Sequence, residues 1–301
     1  MLTAASQAPK LIRVITEEPT QHITPLPEEH AEPPELRTSE AVQSTAEKAL
    51  WLSWVEVAFG FGVWAASVAA LLIVTLIYAI PYLIYRVAKF GPPTAEALTA
   101  DKGLIFFSVL GILPAHMLTF VFVWLVITYG GRRPFWQNID FDWPKSASPI
   151  TVTLLSALVA TLLFGLAWAV TMLYGEHKTD LDIMIESSIY TRMATAFVAV
   201  ATAPLIEELI YRGLLYRALE KAGGMAIAIP IVSLLFAGVH VFQYRNNLAV
   251  ITVITLLSIT LTLVRALTGS VLPAFLIHLA FNGIQSVLIV LGGLMNKDIF
   301  K

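Results

Sequence analysis

Long apolar runs separated by short polar breaks occupy most of the chain after residue 48. A helix needs about 20 apolar residues to cross the hydrocarbon core of a bilayer. Seven runs approach or exceed that length, over residues 52–85, 103–129, 148–174, 193–218, 225–242, 248–267 and 271–294. Glycine, proline or clustered charges mark the breaks between them. The pattern predicts an all-α, polytopic transmembrane helix bundle of about seven spans, or eight if the long first run is broken.

The first 48 residues have a different composition from the rest of the chain. They contain six prolines, and their eight glutamates outnumber four lysines and arginines. Because this stretch lacks a sustained helical period of apolar residues, it is predicted to be a disordered acidic tail. It has no cationic segment followed by an apolar one, so we expect no signal peptide.

The overall composition supports a membrane protein and excludes several other classes. Hydrophobic residues make up 57% of the chain and charged residues 13%, whereas soluble domains are about 25% charged. A net charge of −2 gives no electrostatic basis for binding nucleic acid. The lack of cysteine excludes disulfides, thiolate metal sites and a cysteine nucleophile. We expect a multi-pass protein of the cell membrane that has the lipid bilayer, and no nucleic acid, as a partner.

The orientation in the membrane does not follow from the charges. With seven spans, the lysines and arginines near the helix ends divide eight against eight between the two faces. The positive-inside rule therefore makes no choice. We expect a cytoplasmic N-terminus because nothing in the tail marks it for export.

Two adjacent carboxylates, Glu207 and Glu208, interrupt the fourth apolar run. An ionisable residue at membrane depth is costly and is a functional candidate by default. Glu208 lies four residues before Arg212, so the two share a helix face and can form an ion pair. Glu207 is rotated by about 100° around the helix and has no cation nearby in sequence, which suits a general base. The alternative is an ion-paired cluster that only holds helices together.

Further polar residues occur in the last three apolar runs. His240 lies near the end of the fifth run, and His278 and Asn282 in the seventh are four residues apart and point into one space. Taken singly, each is explained as well by hydrogen bonds between neighbouring helices. Arg265, near the end of the sixth run, is predicted to snorkel to the interface. The aromatic-rich segment 135–143 is predicted to lie along that interface.

Together these residues provide what the hydrolysis of an amide requires. A base must activate water and donors must stabilise the developing oxyanion. Glu207 with His240 can hold and deprotonate a water, and His278 and Asn282 can supply donors. A second interpretation makes Glu207, His240 and His278 zinc ligands around an open water position, although the chain has no HExxH motif. A third is a non-catalytic transporter or scaffold, in which the same residues form an ion path or hold helices together.

The motifs resemble those of the CPBP family of intramembrane proteases, also called the Abi or type II CAAX prenyl protease family. They occur in this order along the chain, on three different membrane helices, as Glu207-Glu208-x-x-x-Arg212, Phe236-x-x-x-His240 and His278-x-x-x-Asn282. The resemblance covers residues 193–285, about a third of the chain. It implies a catalytic helical core at 193–294, preceded by N-terminal transmembrane helices with interfacial loops at 49–192 and followed by a short tail at 295–301.

The resemblance implies a role for each motif residue. Glu207 would be the catalytic glutamate that activates water, and His240 would help to hold that water. Glu208 and Arg212 would support the site. The oxyanion hole would be formed by His278 and Asn282.

The resemblance also implies a substrate class and leaves the cofactor open. Known members of the family remove the C-terminal tripeptide from prenylated CAAX proteins, and many bacterial members act instead in bacteriocin maturation or immunity. The expected partner is therefore a peptide or a lipidated protein, and the alternatives are a prenylated CAAX protein, a bacteriocin leader peptide and an unprenylated membrane protein. The family is described both as metalloproteases and as metal-independent glutamate proteases. We favour the metal-independent form; no cofactor is certain, and zinc remains the alternative.

Overall fold

The computed structural model describes residues 39–174, 178–244 and 247–295, with side chains described from Trp51 onward apart from Phe242 and Leu294. The elements described below from residue 46 onward belong to one compact unit. The predicted disordered tail lies outside the described residues as far as residue 38. Helix α1 begins at Ser39, so the last residues of the predicted tail are already helical.

The first half of the described chain contains three long helices and two short ones. They are α1 (Ser39–Phe90), α2 (Ala95–Thr99), α3 (Lys102–Thr128), α4 (Phe135–Asn138) and α5 (Pro149–Tyr174). Local chemistry sets their limits. The carboxylate of Asp101 caps the start of α3 by accepting from the backbone N–H of Gly103 and Leu104. At its end Tyr129 adopts a left-handed conformation with φ 51°, which stops the helix.

The second half carries the predicted core. Its elements are α6 (Asp180–Ser187), α7 (Ile189–Ala201), α8 (Ala203–Glu208), a π-helical segment (Leu209–Leu215), α9 (Tyr216–Gly223), α10 (Met225–Tyr244), α11 (Leu248–Thr268) and α12 (Leu272–Met295). Helices α7 to α9 and the π-helical segment follow one another closely. Together they form one apolar helical stretch, Ile189–Gly223, that is long enough to cross a membrane. A capping box between Thr179 and Asp182 starts α6.

The helices confirm the predicted fold class of a polytopic transmembrane bundle. Among the described residues, six helical stretches are long and apolar enough to cross a membrane, and Met225–Val241 is a shorter apolar helix. Each of the seven predicted runs falls on one of these seven stretches. The chain is therefore a multi-pass membrane protein.

Two clusters of buried apolar side chains hold the bundle together. The larger one surrounds the π-helical segment, where Leu209 and Leu215, followed by Tyr216 at the start of α9, are fully buried against α3, α10 and the middle of α1. The smaller one joins α5, α11 and α12 around Leu261 and Phe281. The polar motif residues lie between these clusters, on α8, the π-helical segment, α10 and α12.

The prediction that Arg265 snorkels to the interface is wrong. Its side chain is buried, and Nη2 lies 2.7 Å from Oδ2 of Asp140. Its Nε donates to the backbone oxygen of Arg212 at 3.2 Å. Arg265 therefore ties the segment 135–143 to the π-helical segment, and its partner carboxylate, 37% exposed, belongs to a residue 125 positions away in the sequence.

Candidate active site

The two adjacent glutamates have different surroundings. Glu208 is fully buried, and its Oε1 accepts from Nη1 of Arg212 at 3.0 Å. The same oxygen lies 2.8 Å from Nδ1 of His278 on α12. Glu207 retains 24% side-chain exposure. The predicted ion pair between Glu208 and Arg212 is confirmed, and Glu207 has no comparable partner among the described residues.

Arg212 is fixed from three sides. Besides Glu208, its Nη2 donates to the backbone oxygen and the hydroxyl of Ser258 at 3.0 and 3.1 Å, and to the hydroxyl of Thr262 at 3.3 Å. The ring of Phe236 lies 4.7 Å from the guanidinium carbon, within cation–π range. Ser258 and Thr262 are one turn apart on α11, so a buried cation joins three helices. Sequence reasoning missed both, because a single serine or threonine in an apolar helix carries no distinct signal.

The backbone that carries Arg212 is π-helical over Leu209–Leu215. Such segments are rare and are often found at functional sites. Gly213 lies in the middle of this one, and a β-carbon at that position would collide with the side chain of Ile139. The close approach of α4 and its C-cap residue to the π-helical segment therefore requires glycine.

His278 lies between the two glutamates. Because a carboxylate accepts, the Nδ1 of His278 carries the proton in its bond to an ionised Glu208. Its Nε2 lies 3.7 Å from Oε2 of Glu207, beyond hydrogen-bond distance. The carboxylate of Glu208 thus sets the orientation of the ring and turns Nε2 toward Glu207.

His240 has a defined tautomer in its neutral form. Its Nδ1 lies 2.8 Å from the backbone oxygen of Phe236, one turn earlier on α10. A carbonyl oxygen only accepts, so Nδ1 carries the proton and Nε2 carries the lone pair. The ring of Phe236 separates the two histidines, with centroids 4.9 Å from His240 and 5.8 Å from His278.

Asn282 lies one turn after His278 on α12. Its Nδ2 donates to the backbone oxygen of Ala199 on α7 at 2.9 Å. One of its two amide protons is used in this bond. The bond holds the amide group in place and leaves a second N–H on the same nitrogen.

A single cavity of about 440 Å³ brings the motif residues together. Glu207, His240, His278 and Asn282 all line it, and it extends to Tyr244 and to residues at the start of α6. Because successive membrane helices alternate in direction, this is the end of the bundle where α5 and α10 finish and α11 begins. Glu208 and Arg212 lie behind the cavity wall and support it.

His116 on α3 lies near the site but outside the three motifs. Its Nδ1 lies 2.9 Å from the hydroxyl of Thr202, at the start of α8. The charge of Glu207 is close enough to act on its ring. The sequence shows His116 only as one polar residue in the second apolar run, and nothing in the spacing connects it with Glu207.

The zinc alternative would use Glu207, His240 and His278 as ligands. Among the described residues, no three histidine, cysteine, aspartate or glutamate side chains are arranged so that they could hold one metal ion. Nδ1 of both candidate histidines is engaged by Phe236 and Glu208, so Nε2 is the nitrogen of each ring that could bind a metal.

The sequence matches one known family model over part of its length. Residues 189–284 match the model described as type II CAAX prenyl endopeptidase Rce1-like, and this range contains all six motif residues. The match confirms the resemblance inferred from the motifs and supports an intramembrane endopeptidase. No curated protein and no solved structure matches the chain significantly.

Proposed function

We propose that this protein is an intramembrane endopeptidase in which Glu207 activates water for the hydrolysis of a peptide bond near the membrane surface. The observation that carries the proposal is the difference between the two glutamates. Glu208 is occupied by Arg212 and His278, whereas Glu207 faces the cavity. A base must reach the proton that it abstracts, and of the pair only Glu207 lines the space where a substrate can lie.

The proposed reaction begins with a water molecule held by Glu207 and His240. Glu207 removes a proton while the water oxygen forms a bond to the carbonyl carbon of the peptide. The lone pair on Nε2 of His240 accepts a hydrogen bond from the other O–H of the water, without proton transfer. When the carbon–nitrogen bond breaks, the protonated Glu207 returns its proton to the leaving amine, so the enzyme ends in its starting state.

The developing oxyanion is stabilised by His278 and Asn282 in this proposal. Asn282 offers its second N–H, and the bond to Ala199 holds the amide in place. Nε2 of His278 donates only when the ring is doubly protonated, since Nδ1 already donates to Glu208.

We propose a peptide or lipidated protein of the CAAX type as the substrate. The matched family model is named for prenyl endopeptidases, and the cavity combines a polar floor with apolar and aromatic walls that include Phe164 and Trp168. Such walls suit a segment that arrives with a lipid attached. We propose the metal-independent form of the protease, because no three candidate ligand side chains among the described residues are grouped around one metal position.

The substrate class can be tested with paired peptides. The purified protein in lipid nanodiscs is given quenched fluorescent peptides of one sequence, with and without a farnesyl group on the cysteine. Faster cleavage of the farnesylated peptide is expected. Equal cleavage of both would contradict the CAAX-type substrate and leave the endopeptidase intact, whereas cleavage of neither, nor of an unbiased peptide library, would contradict the protease itself.

A further inference from the structure

A second cavity lies at the opposite end of the bundle from the mouth of the candidate active site. It has a volume of about 510 Å³ and is enclosed by α1, α3, α9 and the π-helical segment. Three cations line it, Arg133, Arg217 and Lys221, against one carboxylate, Glu56. It therefore lies where the membrane-spanning helices end and carries net positive charge.

The cations of this cavity are only partly neutralised. Nζ of Lys221 lies 2.6 and 2.8 Å from the two oxygens of Glu56. The guanidinium of Arg133 stacks over the ring of Tyr129 at 4.3 Å. Among the described residues, neither Arg133 nor Arg217 forms an ion pair with a carboxylate. Two guanidinium groups are thus open to an anion, and planar guanidinium groups match the geometry of phosphate.

An apolar groove continues from this cavity toward the middle of the membrane. It has a volume of about 500 Å³ and shares Phe59, Leu125 and Val126 with the cationic cavity. Its floor on α1 consists of small residues one turn apart, Ala58, Gly62 and Ala66. A β-carbon added at Gly62 would meet no other atom within 4 Å, so the groove is open along this line.

The geometry points to a binding site for an anionic phospholipid. We infer that Arg133 and Arg217 bind the phosphate of the headgroup and that one acyl chain lies in the groove between α1 and α3. A phosphate group alone would satisfy the cations but would leave the groove unexplained. The combination of a cationic pocket at the interface and a connected apolar groove toward the bilayer centre matches the two parts of a lipid molecule.

The inferred lipid would contact the segment that supports the candidate active site. Gly213 and Leu214 line the cationic cavity, directly after Arg212 in the chain. The lipid site is independent of the proposed function, however, because it uses none of the residues assigned to catalysis. Its test therefore measures binding and does not depend on activity.

The test is native mass spectrometry of the full-length protein titrated with phosphatidylglycerol or phosphatidylcholine of identical acyl chains. We expect one phosphatidylglycerol to bind at least about tenfold more tightly than phosphatidylcholine. Each arginine near an anionic lipid raises the binding affinity about fivefold. The double variant with Arg133→Gln and Arg217→Gln should therefore bind phosphatidylglycerol about 25-fold more weakly. Gly62→Leu fills the groove and should weaken the binding of both lipids.

Two matched variants serve as controls. Arg132→Gln removes a neighbouring exposed cation outside the cavity, and Gly165→Leu adds the same side chain at another open glycine, on α5. Both should bind lipid as the unmodified protein does. Equal affinity for the two lipids would overturn the inference. So would a loss of phosphatidylglycerol affinity in Arg132→Gln as large as that in the double arginine variant. Unchanged binding in Gly62→Leu, or full displacement by inorganic phosphate, would show a phosphate site rather than a lipid site and would also overturn it.

Discussion

Glu208 and His278 are joined by a 2.8 Å contact between Oε1 and Nδ1 deep inside the bundle, although 70 residues separate them in the chain. The same oxygen accepts from Arg212. This arrangement gives the two neighbouring glutamates different functions. Glu208 orients a histidine and balances a buried cation, and Glu207 is left to face the cavity.

Glu208→Gln should destabilise the protein much more than Glu207→Gln. Removing the charge of Glu208 leaves the guanidinium of Arg212 buried without its counter-ion, which costs about 3–5 kcal/mol. Glu207 is partly exposed and supports no buried cation, so its replacement should change stability little. Thermal unfolding of both variants in the same detergent measures the difference. Equal loss of stability would contradict the separate functions of the two glutamates.

Asn282→Ala should lower the rate of peptide cleavage by about 10²–10³-fold, the effect of removing one oxyanion donor. The loss should appear in kcat more than in KM, because the bond to the oxyanion forms only in the transition state. Steady-state kinetics with a quenched peptide provides both constants. If Asn282 only holds the helices together through its bond to Ala199, the variant should be less stable but keep a normal kcat. That result would contradict the assignment of Asn282 to the oxyanion hole.

Gly213→Ala should destabilise the bundle by about 1–3 kcal/mol, the usual cost of overpacking a core. The added methyl group would collide with Ile139, which is fully buried against the π-helical segment. Combining it with Ile139→Ala should remove the collision, so the double variant should be more stable than the sum of the two single losses predicts. Strict additivity in thermal unfolding would show that the two residues do not pack together.

The stability contributed by Asp101 should depend on pH. Burial raises the pKa of its carboxyl group, but hydrogen bonds from the backbone of Leu104, from Tyr82 and from Arg86 outweigh burial and lower the pKa below its ordinary value of about 3.9. Because the pKa is lower in the folded state, ionised Asp101 stabilises the folded protein at pH values above the ordinary pKa. This stabilisation is lost as the pH falls through the folded-state pKa.

The corresponding variant is Asp101→Asn, which retains a helix-capping residue but loses the ion pair to Arg86 at 2.7 Å. It should be less stable by about 1 kcal/mol at pH 7, and the difference should shrink below pH 4. Melting temperatures of the variant and the unmodified protein across this pH range provide the comparison. A difference that is constant with pH would show that the charge of Asp101 contributes nothing.

Much of the fold could be predicted from the sequence because lipid imposes a simple pattern. A span must be long and apolar, and the seven predicted runs each fall on a helix that the structure describes. The pair Glu208 and Arg212 was predictable because its spacing is local, four residues on one helix. The motif residues on α10 and α12 could be connected with it through their resemblance to a known family.

Other features of the site depend on contacts that sequence spacing does not reveal. The partners of Arg212 on α11, Ser258 and Thr262, are 46 and 50 residues away. The burial of Arg265 depends on Asp140, which looks like an ordinary interfacial residue in the sequence. The π-helical segment has no composition of its own, since its Gly213 could equally mark a loop or a helix end. These features follow from packing between distant segments, which local periodicity does not encode.

Peptide cleavage by the purified Glu207→Gln variant shows whether Glu207 is the base that activates water. The measurement uses nanodiscs and includes Glu96→Gln, an exposed glutamate on α2, as a matched control. We expect Glu207→Gln to lose at least about 10²-fold in cleavage rate, while its thermal unfolding and membrane insertion match those of the control. Cleavage by Glu207→Gln at the rate of the unmodified protein would contradict the assignment of Glu207 as the base.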